Sequence, residues 1–391
     1  MASKRMVEDL SAEILCQLPY SAKNPRLLVF HDKYFTPLKP RISLFSCELP
    51  KTPAELGFPD LPDPKTLQVP LELGLPFAES SQPPIDNCLP FRNTSQPSIN
   101  LELPFPDKHV FQLVPWGLCK GVFCLYVTYL DSPDDLILWN PATREFKVLP
   151  LPNHLRPIMK SCKHGFGVDP QKDDFKVVCI WMENELPDHL RETNLPLVEV
   201  YSLKSNSWKK IRVTLPASNL RNSILNSSYL NGIYHWLSNE GIVCFDMSNE
   251  VFSKMKLPRV FVDQREFIFY GDLVVYNDCI AYVLEYGIWK ELGRWIGSFR
   301  TDVWVMNKHG VEESWDKCFS IGPEMGHFQG FWKTGEILAA HDFYERLVCF
   351  NLDTQQPVMQ FPVARGGPLR IAIFKYVESV VPLSGFVAEK P

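Results

Sequence analysis

Nine histidines, eleven cysteines and the acid pairs Asp173-Asp174 and Glu312-Glu313 are among the residues of this 391-residue chain whose types could carry chemistry. A metal site wants two ligands at short spacing twice over. The closest cysteines are Cys119 and Cys124, and no C-x-x-C occurs. Most cysteines sit among Val, Ile, Leu and Phe, as in IVCFD and LVCFN, so they are expected as buried, reduced thiols. His164 precedes Gly165-Phe166-Gly167, and His235 lies between Tyr234 and Trp236. Each is expected as a hydrogen-bonded strand or turn residue, neither ligand nor base. Asp173-Asp174 and Glu312-Glu313 fall at polar turns and are expected as solvated charges. There is no G-x-S-x-G, no H-E-x-x-H, no P-loop, and no G-x-G-x-x-G after a strand. The expectation is a non-enzyme with no catalytic residue, no cofactor and no metal.

Charge narrows the partners. Forty Lys and Arg against 45 Asp and Glu give a net charge of −5 and a pI near 6.0. That balance argues against nucleic acid or a membrane surface as partner, since either calls for a basic face. No apolar run reaches the ~18–20 residues of a membrane span. MASKRMVEDLSAEILCQLP has acids inside its apolar stretch and does not read as a signal peptide. A cytoplasmic or nuclear protein is expected.

Three zones follow from proline. Eighteen of the 34 prolines precede residue 116, dividing a Pro-punctuated N-terminal third from a strand-rich remainder. In the first zone, residues 7–18 alone read as helix. Glu8 and Asp9 suit its first turn, Leu10, Ile14, Leu15 and Leu18 form one apolar face, and Pro19 ends it. About twelve residues make a marginal helix, so this face must dock on something. Between 71 and 105, Leu-Pro-Phe recurs at 75, 89 and 103 and Ser-Gln-Pro at 81 and 95. Proline this dense favours extended backbone, expected as a connecting segment over 25–109 that rests on its neighbour or docks a partner.

From 110 onward five segments share one design, an apolar strand, a polar turn and a second strand: 136–150, 198–213, 242–258, 302–321 and 347–362. Trp139 to Phe146, Tyr201 to Trp208 and Phe245 to Phe252 are each seven apart. Trp304 to Trp315 is eleven apart and Phe350 to Val358 eight. Each segment reads as a hairpin with its large apolar residues packed across the pair. Copies begin every 45–60 residues, near the ~40–50 of a propeller blade. Strands at 121–130, 174–182, 230–238, 278–286 and 336–343 would complete the sheets. A two-sheet sandwich gives no reason for such a repeat. The expected fold is all-β, a kelch-like β-propeller of about six blades over 110–384, preceded by the short helix and the Pro-rich extended segment.

NPATREFKVLP (140–150), GFGVDPQKDDFKVV (165–178), VEVYSLKSNSWKKI (198–211), Tyr234-His235-Trp236, CFDMSNEVFSKMKLP (244–258), DVWVMNKHGVEESWDKCFSIGP (302–323) and KYVESVVPL (375–383) follow one another in this order. Together they resemble plant F-box proteins with an F-box-associated, kelch-like domain, and within that group the S-locus F-box-like proteins. Met6, Asp9, Leu10, Glu13, Ile14, Leu15, Leu18 and Pro19 resemble the start of an F-box, with Val7 in place of the usual proline. After Pro19 the pattern departs from an F-box. PRLLVFHDKYF (25–35), which resembles a strand well beyond it, follows at once, and no tryptophan precedes Trp116. A truncated F-box over 7–24 is expected. The resemblance implies a substrate-recognition subunit of an SCF-type cullin–RING ubiquitin ligase. Leu10, Ile14, Leu15, Leu18 and Pro19 would then meet the Skp-type adaptor, and a protein substrate would sit on the propeller; in the S-locus branch the targets are secreted ribonucleases. The alternative is a protein-binding propeller that acts outside the ligase.

Two stretches are expected as target-binding loops. MENELPDHLRETNLP (182–196) sets Glu183, Glu185 and Asp188 beside Arg191, an acidic surface suited to a basic protein. YGIWKELGRWIGSFRT (286–301) mixes Trp289 and Trp295 with Lys290, Arg294 and Arg300, the residue types of interface anchors.

Overall fold

The computed structural model describes residues 26–33, 41–45, 98–101 and, apart from several connecting segments, 109–383. The helix expected at 7–18 and the Leu-Pro-Phe repeat lie outside these residues. In chain order the strands are β1 (Arg26–Lys33), β2 (Arg41–Phe45) and β3 (Ser98–Leu101). Then come β4 (Val110–Cys119), β5 (Val122–Tyr129), β6 (Asp135–Asn140) and β7 (Glu145–Val148). Next are β8 (Lys163–Asp169), β9 (Asp174–Trp181), β10 (Leu197–Ser202) and β11 (Ser207–Ile211). They are followed by β12 (Tyr229–Leu230), β13 (Ile233–Ser238), β14 (Gly241–Asp246) and β15 (Val251–Met255). The last are β16 (Glu266–Tyr276), β17 (Cys279–Trp289), β18 (Trp295–Met306) and β19 (Trp315–Ile321), then β20 (His327–Phe331), β21 (Glu336–His341), β22 (Arg346–Asn351), β23 (Pro357–Pro362) and β24 (Leu369–Tyr376).

They pair antiparallel into six four-stranded sheets of a β-propeller. Five sheets, β4–β7, β8–β11, β12–β15, β16–β19 and β20–β23, are each built from one continuous stretch of chain. The sixth runs β24-β1-β2-β3, so both ends of the chain build it. The segment 25–109 therefore supplies three strands to the ring as well as connecting. In the continuous sheets the fourth strand is outermost: β7, β11 and β15 are mostly exposed or half-buried, while β5 and β9 are buried throughout.

The repeated hairpins are the third and fourth strands of each blade, and one turn fixes their register. The third strand ends on a polar side chain that accepts backbone N–H groups of the turn. Asn140 Oδ1 takes Ala142 N, Ser202 Oγ takes Ser205 N, Asp246 Oδ1 takes Ser248 and Asn249 N, and Asn351 Oδ1 takes Asp353 and Thr354 N. Four residues beyond each cap the chain turns left-handed, at Arg144 (φ 59°), Asn206 (49°), Glu250 (56°) and Gln355 (53°). This geometry sets Trp139 opposite Phe146, Tyr201 opposite Trp208 and Phe245 opposite Phe252. Where the spacing differs the pairing differs: Trp315 faces Met306 rather than Trp304, and Phe350 faces Pro357 across a bulge.

Alternate residues of one strand enter different cores. Val122, Cys124 and Tyr126 pack toward the β8–β11 sheet, whereas Phe123, Leu125 and Val127 pack toward the closing sheet with Phe374 and Tyr376. Both faces of this blade are thus covered by its neighbours, and the cysteines expected inside follow suit. Cys119, Cys124, Cys162, Cys179, Cys244 and Cys349 are buried free thiols, with Cys279 half-buried and Cys318 exposed. GFGVD owes its glycines to the blade contact. A Cβ on Gly165 would stand 2.8 Å from Trp236, and one on Gly167 2.2 Å from Tyr229.

Polar ties reinforce the seams. Lys176, buried, lies 3.2 Å from Asp169 of its own blade and reaches the next, with Nζ 3.0 Å from Glu250 and 2.6 Å from the Met247 carbonyl. Asp174 is not the solvated charge expected at its turn. It is 3% exposed and accepts the Ser202 hydroxyl and the Lys204 N–H. Glu312, at the surface, pairs with Lys256 at 2.7 Å. Asn140 Nδ2 donates to the Ser379 and Val381 carbonyls, and Leu383 N donates to Glu145, so NPATRE fastens the end of the C-terminal segment.

Burial alone would raise the Asp169 carboxyl, but the Ser248 hydroxyl and Lys176 hold it below its ordinary 3.8. Glu250 is likewise held below 4.5, against burial, by Lys209 and Lys176. A depressed carboxyl stabilises the fold above its unfolded-state pKa and loses that contribution as pH falls through its folded value. Lys176→Met, which strands Asp169 in the interior, is expected to cost about 3–5 kcal/mol in urea unfolding at neutral pH. The difference from wild type should shrink as pH falls through the depressed folded-state values of these two carboxyls. Asn140→Ala should cost about 1–3 kcal/mol by the same measurement.

Candidate functional site

Connectivity gives the ring two unlike faces. On one lie the links from first to second and from third to fourth strand. In the continuous blades most are short: Lys120-Gly121, Asn231-Gly232 and Asn277-Asp278 each place two successive residues at positive φ, as two-residue hairpin turns require, while 307–314 is longer and the closing sheet's link, 46–97, lies outside the described residues. On the other face lie the links from second to third strand and from one blade to the next, including 149–162, 182–196, 212–228 and 256–265. A rigid scaffold that displays long connections on one side is suited to recognition there.

Both stretches singled out in the sequence reach this long-connection face. The 182–196 segment joins β9 to β10; Glu183, Glu185, Asp188 and Arg191 lie outside the described residues, while Leu186 within it is buried as an anchor. The 286–301 segment is mostly hairpin rather than loop. Tyr286–Trp289 belong to β17 and Trp295–Arg300 to β18, with Trp289 opposite Trp295 in the ladder. Lys290 and Arg294 lie outside the described residues, as do the side chains of Trp289 and Trp295. Leu10, Ile14, Leu15, Leu18 and Pro19 also lie outside them.

Arg300 is the one of these target-binding candidates whose side-chain geometry is described. Its guanidinium stacks 4.4 Å from the Tyr286 ring centroid, with Nη2 3.4 Å from Asp302. Asp302 also holds Lys317 at 2.8 Å and the Ser320 hydroxyl at 2.7 Å. Burial pushes the Tyr286 phenol up to about 12, so the ring stays neutral beneath the cation. With its side chain 33% exposed, Arg300 presents a pre-oriented guanidinium to a partner at little further entropic cost.

Sequence reasoning missed an apolar set at the same face. Phe111 is 60% exposed, Leu130 65%, Ile268 45% and Tyr270 40%. Phe111, Ile268 and Tyr270 stand at the beginnings of β4 and β16, and Leu130 follows β5, so all four belong to the rim of the long-connection face. Polar pairs lie around Phe111 and Leu130, namely His109–Asp131 at 3.1 Å, Lys160–Asp134 at 3.5 Å and His154–Glu199 at 2.9 Å, while Ile268 and Tyr270 stand on another blade. Exposed large apolar groups set among polar pairs have the character of a protein-docking surface. Nothing in the strand pattern VFQLVPWGLC marks Phe111 as outward-facing, because alternation fails across the two bulges of β4.

The two singled-out histidines are structural. Burial lowers His164 to about 3, and its ring stacks on Trp116 at 4.4 Å. Burial lowers His235 to about 4; its Nδ1 lies 2.8 Å from the Ser228 carbonyl and its Nε2 2.8 Å from His309 Nε2. Among the described residues, no three His, Cys, Asp or Glu side chains are grouped to hold a metal ion. No helix there is long and apolar enough to cross a membrane.

Residues 82–379 match the family model described as the F-box associated beta propeller domain. The chain belongs to that family. It is 28% identical to the Arabidopsis thaliana "F-box protein CPR1" over 49% of each chain. It is 24% identical to "F-box/kelch-repeat protein At3g23880" of the same plant, over 62% of this chain and 61% of that one. A third relative, "F-box/WD-40 repeat-containing protein 1", is 26% identical over 54% of this chain and 49% of its own. The chain spans about half the length of the curated relatives it matches.

Because Phe111 and Leu130 already face solvent, Phe111→Ser and Leu130→Ser should each shift unfolding by less than about 0.5 kcal/mol. A thermal melt of the two variants checks that the rim is free of a folding role.

Proposed function

We propose that this chain is a substrate-recognition subunit of an SCF-type cullin–RING ubiquitin ligase, non-catalytic itself, that holds a target protein on the long-connection face of its propeller. The observation that carries this reading is the exposed apolar rim of Phe111, Leu130, Ile268 and Tyr270 on a propeller of the F-box-associated family. Arg300 on its Tyr286 platform adds a fixed cation beside that rim. The acidic 182–196 segment would favour a basic target. Held there, the lysines of a target gain effective concentration near a charged ubiquitin-conjugating enzyme, which is catalysis by proximity. The Skp-type adaptor would meet the N-terminal segment through Leu10, Ile14, Leu15, Leu18 and Pro19.

A second reading rests on the sequence after Pro19, which departs from an F-box at once. One helix buries less surface than the ~1,200 Å² of a stable interface. On that reading the propeller binds its target outside the ligase.

Calorimetric titration of the whole chain with a Skp-type adaptor separates the two. A control chain carries a full F-box in front of residue 25. Micromolar or tighter binding by the natural chain is the expected result. Binding by the control alone would overturn the ligase reading and leave the second.

A further inference from the structure

Ile268, Tyr286 and Arg300 stand in one row across the β16–β19 blade. Ile268 is paired with Tyr286 in the β16–β17 ladder, and Tyr286 with Arg300 in the β17–β18 ladder. Directly opposed residues of a ladder project to the same face, so the three side chains share one side of the sheet. Tyr286 is buried and forms the floor, with the Arg300 guanidinium 4.4 Å from its ring centroid. Ile268 is 45% exposed, and a third of the Arg300 side chain remains open to solvent. The row offers an apolar contact at one end and an oriented cation at the other.

The cationic end carries more positive charge than its own ion pairs neutralise. Arg300 Nη2 and Lys317 Nζ converge on one oxygen, Asp302 Oδ2, at 3.4 and 2.8 Å, and the other oxygen accepts the Ser320 hydroxyl. Asp302 is buried, whereas Lys317, like Arg300, keeps over a third of its side chain in solvent or close to it. Two cations against one carboxylate leave one positive charge facing outward. The buried carboxylate also orders both cations before a partner arrives, which removes part of the entropic cost of pairing there. An oriented positive site beside an apolar contact selects an anion that carries an apolar neighbour.

We infer that this row recognises an acidic residue of the target protein, with its carboxylate on Arg300 and Lys317 and an apolar side chain of the same segment on Ile268. The inference rests on the reading of the long-connection face as the docking side, and it names the chemistry of what docks there. Two strand spacings separate Ile268 from Arg300, so the two target groups stand about 10 Å apart on one face. A polyproline II segment meets that spacing with residues three apart, at about 3.1 Å of rise each and on one side of its helix. The acidic 182–196 segment belongs to the β8–β11 blade, so a basic patch of the same target would meet it as a separate contact.

The probe is the acetylated and amidated peptide Pro-Pro-Leu-Pro-Pro-Glu-Pro-Pro, titrated into the whole chain by calorimetry beside versions with Gln for Glu and Ser for Leu. The expected result is saturable binding that either replacement weakens about tenfold. Arg300→Met keeps the packing on Tyr286 and leaves Lys317 on Asp302; in it the preference for Glu over Gln should fall to about threefold or less. In Ile268→Ser, an exposed change that keeps the test open if Arg300→Met fails to fold, the Leu and Ser peptides should bind alike. Absence of saturable heat up to about 10 mM peptide overturns the proposal. Equal binding of the Glu and Gln peptides, or an undiminished preference for Glu in Arg300→Met, also overturns it. No adaptor takes part, so failure here leaves the ligase reading standing, and failure of the adaptor titration leaves this row standing.

Discussion

A sheet whose two faces are both apolar cannot stand alone, and everything else in this chain depends on how that constraint is met. β5 and β9 are buried along their whole length, so each of their sheets needs a neighbour on either side. Stacking blades in a ring supplies the neighbours only if the last blade meets the first. Closure falls to one ladder, β1 against β24, pairing Arg26 with Tyr376 through Lys33 with Leu369. Phe123 of the first continuous blade sits between Trp139 on its own sheet and Phe374 and Tyr376 on the closing strand, so core and seam are one structure there.

Seen this way, the motifs that carry the family likeness are building parts. Asn140 caps a turn and fastens the C-terminal segment, Gly165 and Gly167 admit the aromatic side chains of the next blade, and Asp169 and Lys176 tie two blades together. Such residues recur because the ring demands them. Specific recognition is then left to residues that the ring does not need, which stand on the long connections and at the rim of that face. This division explains why a chain rich in repeated sequence signals carries few signals of its target.

Much of the ring was legible because its repeat is enforced locally. A cap at Asn140, Ser202, Asp246 or Asn351 and a left-handed residue four positions later leave one register, so a seven-residue aromatic spacing reports a hairpin directly. The closing sheet was less legible. β2 and β3 are neighbours in space but separated by more than fifty residues of Pro-rich chain, and no periodicity in 25–109 announces their pairing. The face was least legible of all. Phe111 and Ile268 sit on strands with bulges, where a shift of one residue turns a side chain from core to solvent, and Asp174 was misplaced because its turn buries it under Ser202 and Lys204.

Equilibrium urea unfolding of the chain shortened to end at residue 368, beside the full chain, tests the dependence on closure most directly. Loss of β24 uncovers Phe123 and the inner edge of β1 and opens the ring, so the account predicts a much lower midpoint with a shallower slope, or failure to fold. An unchanged midpoint and slope would contradict it, because the five continuous blades would then stand without the seam.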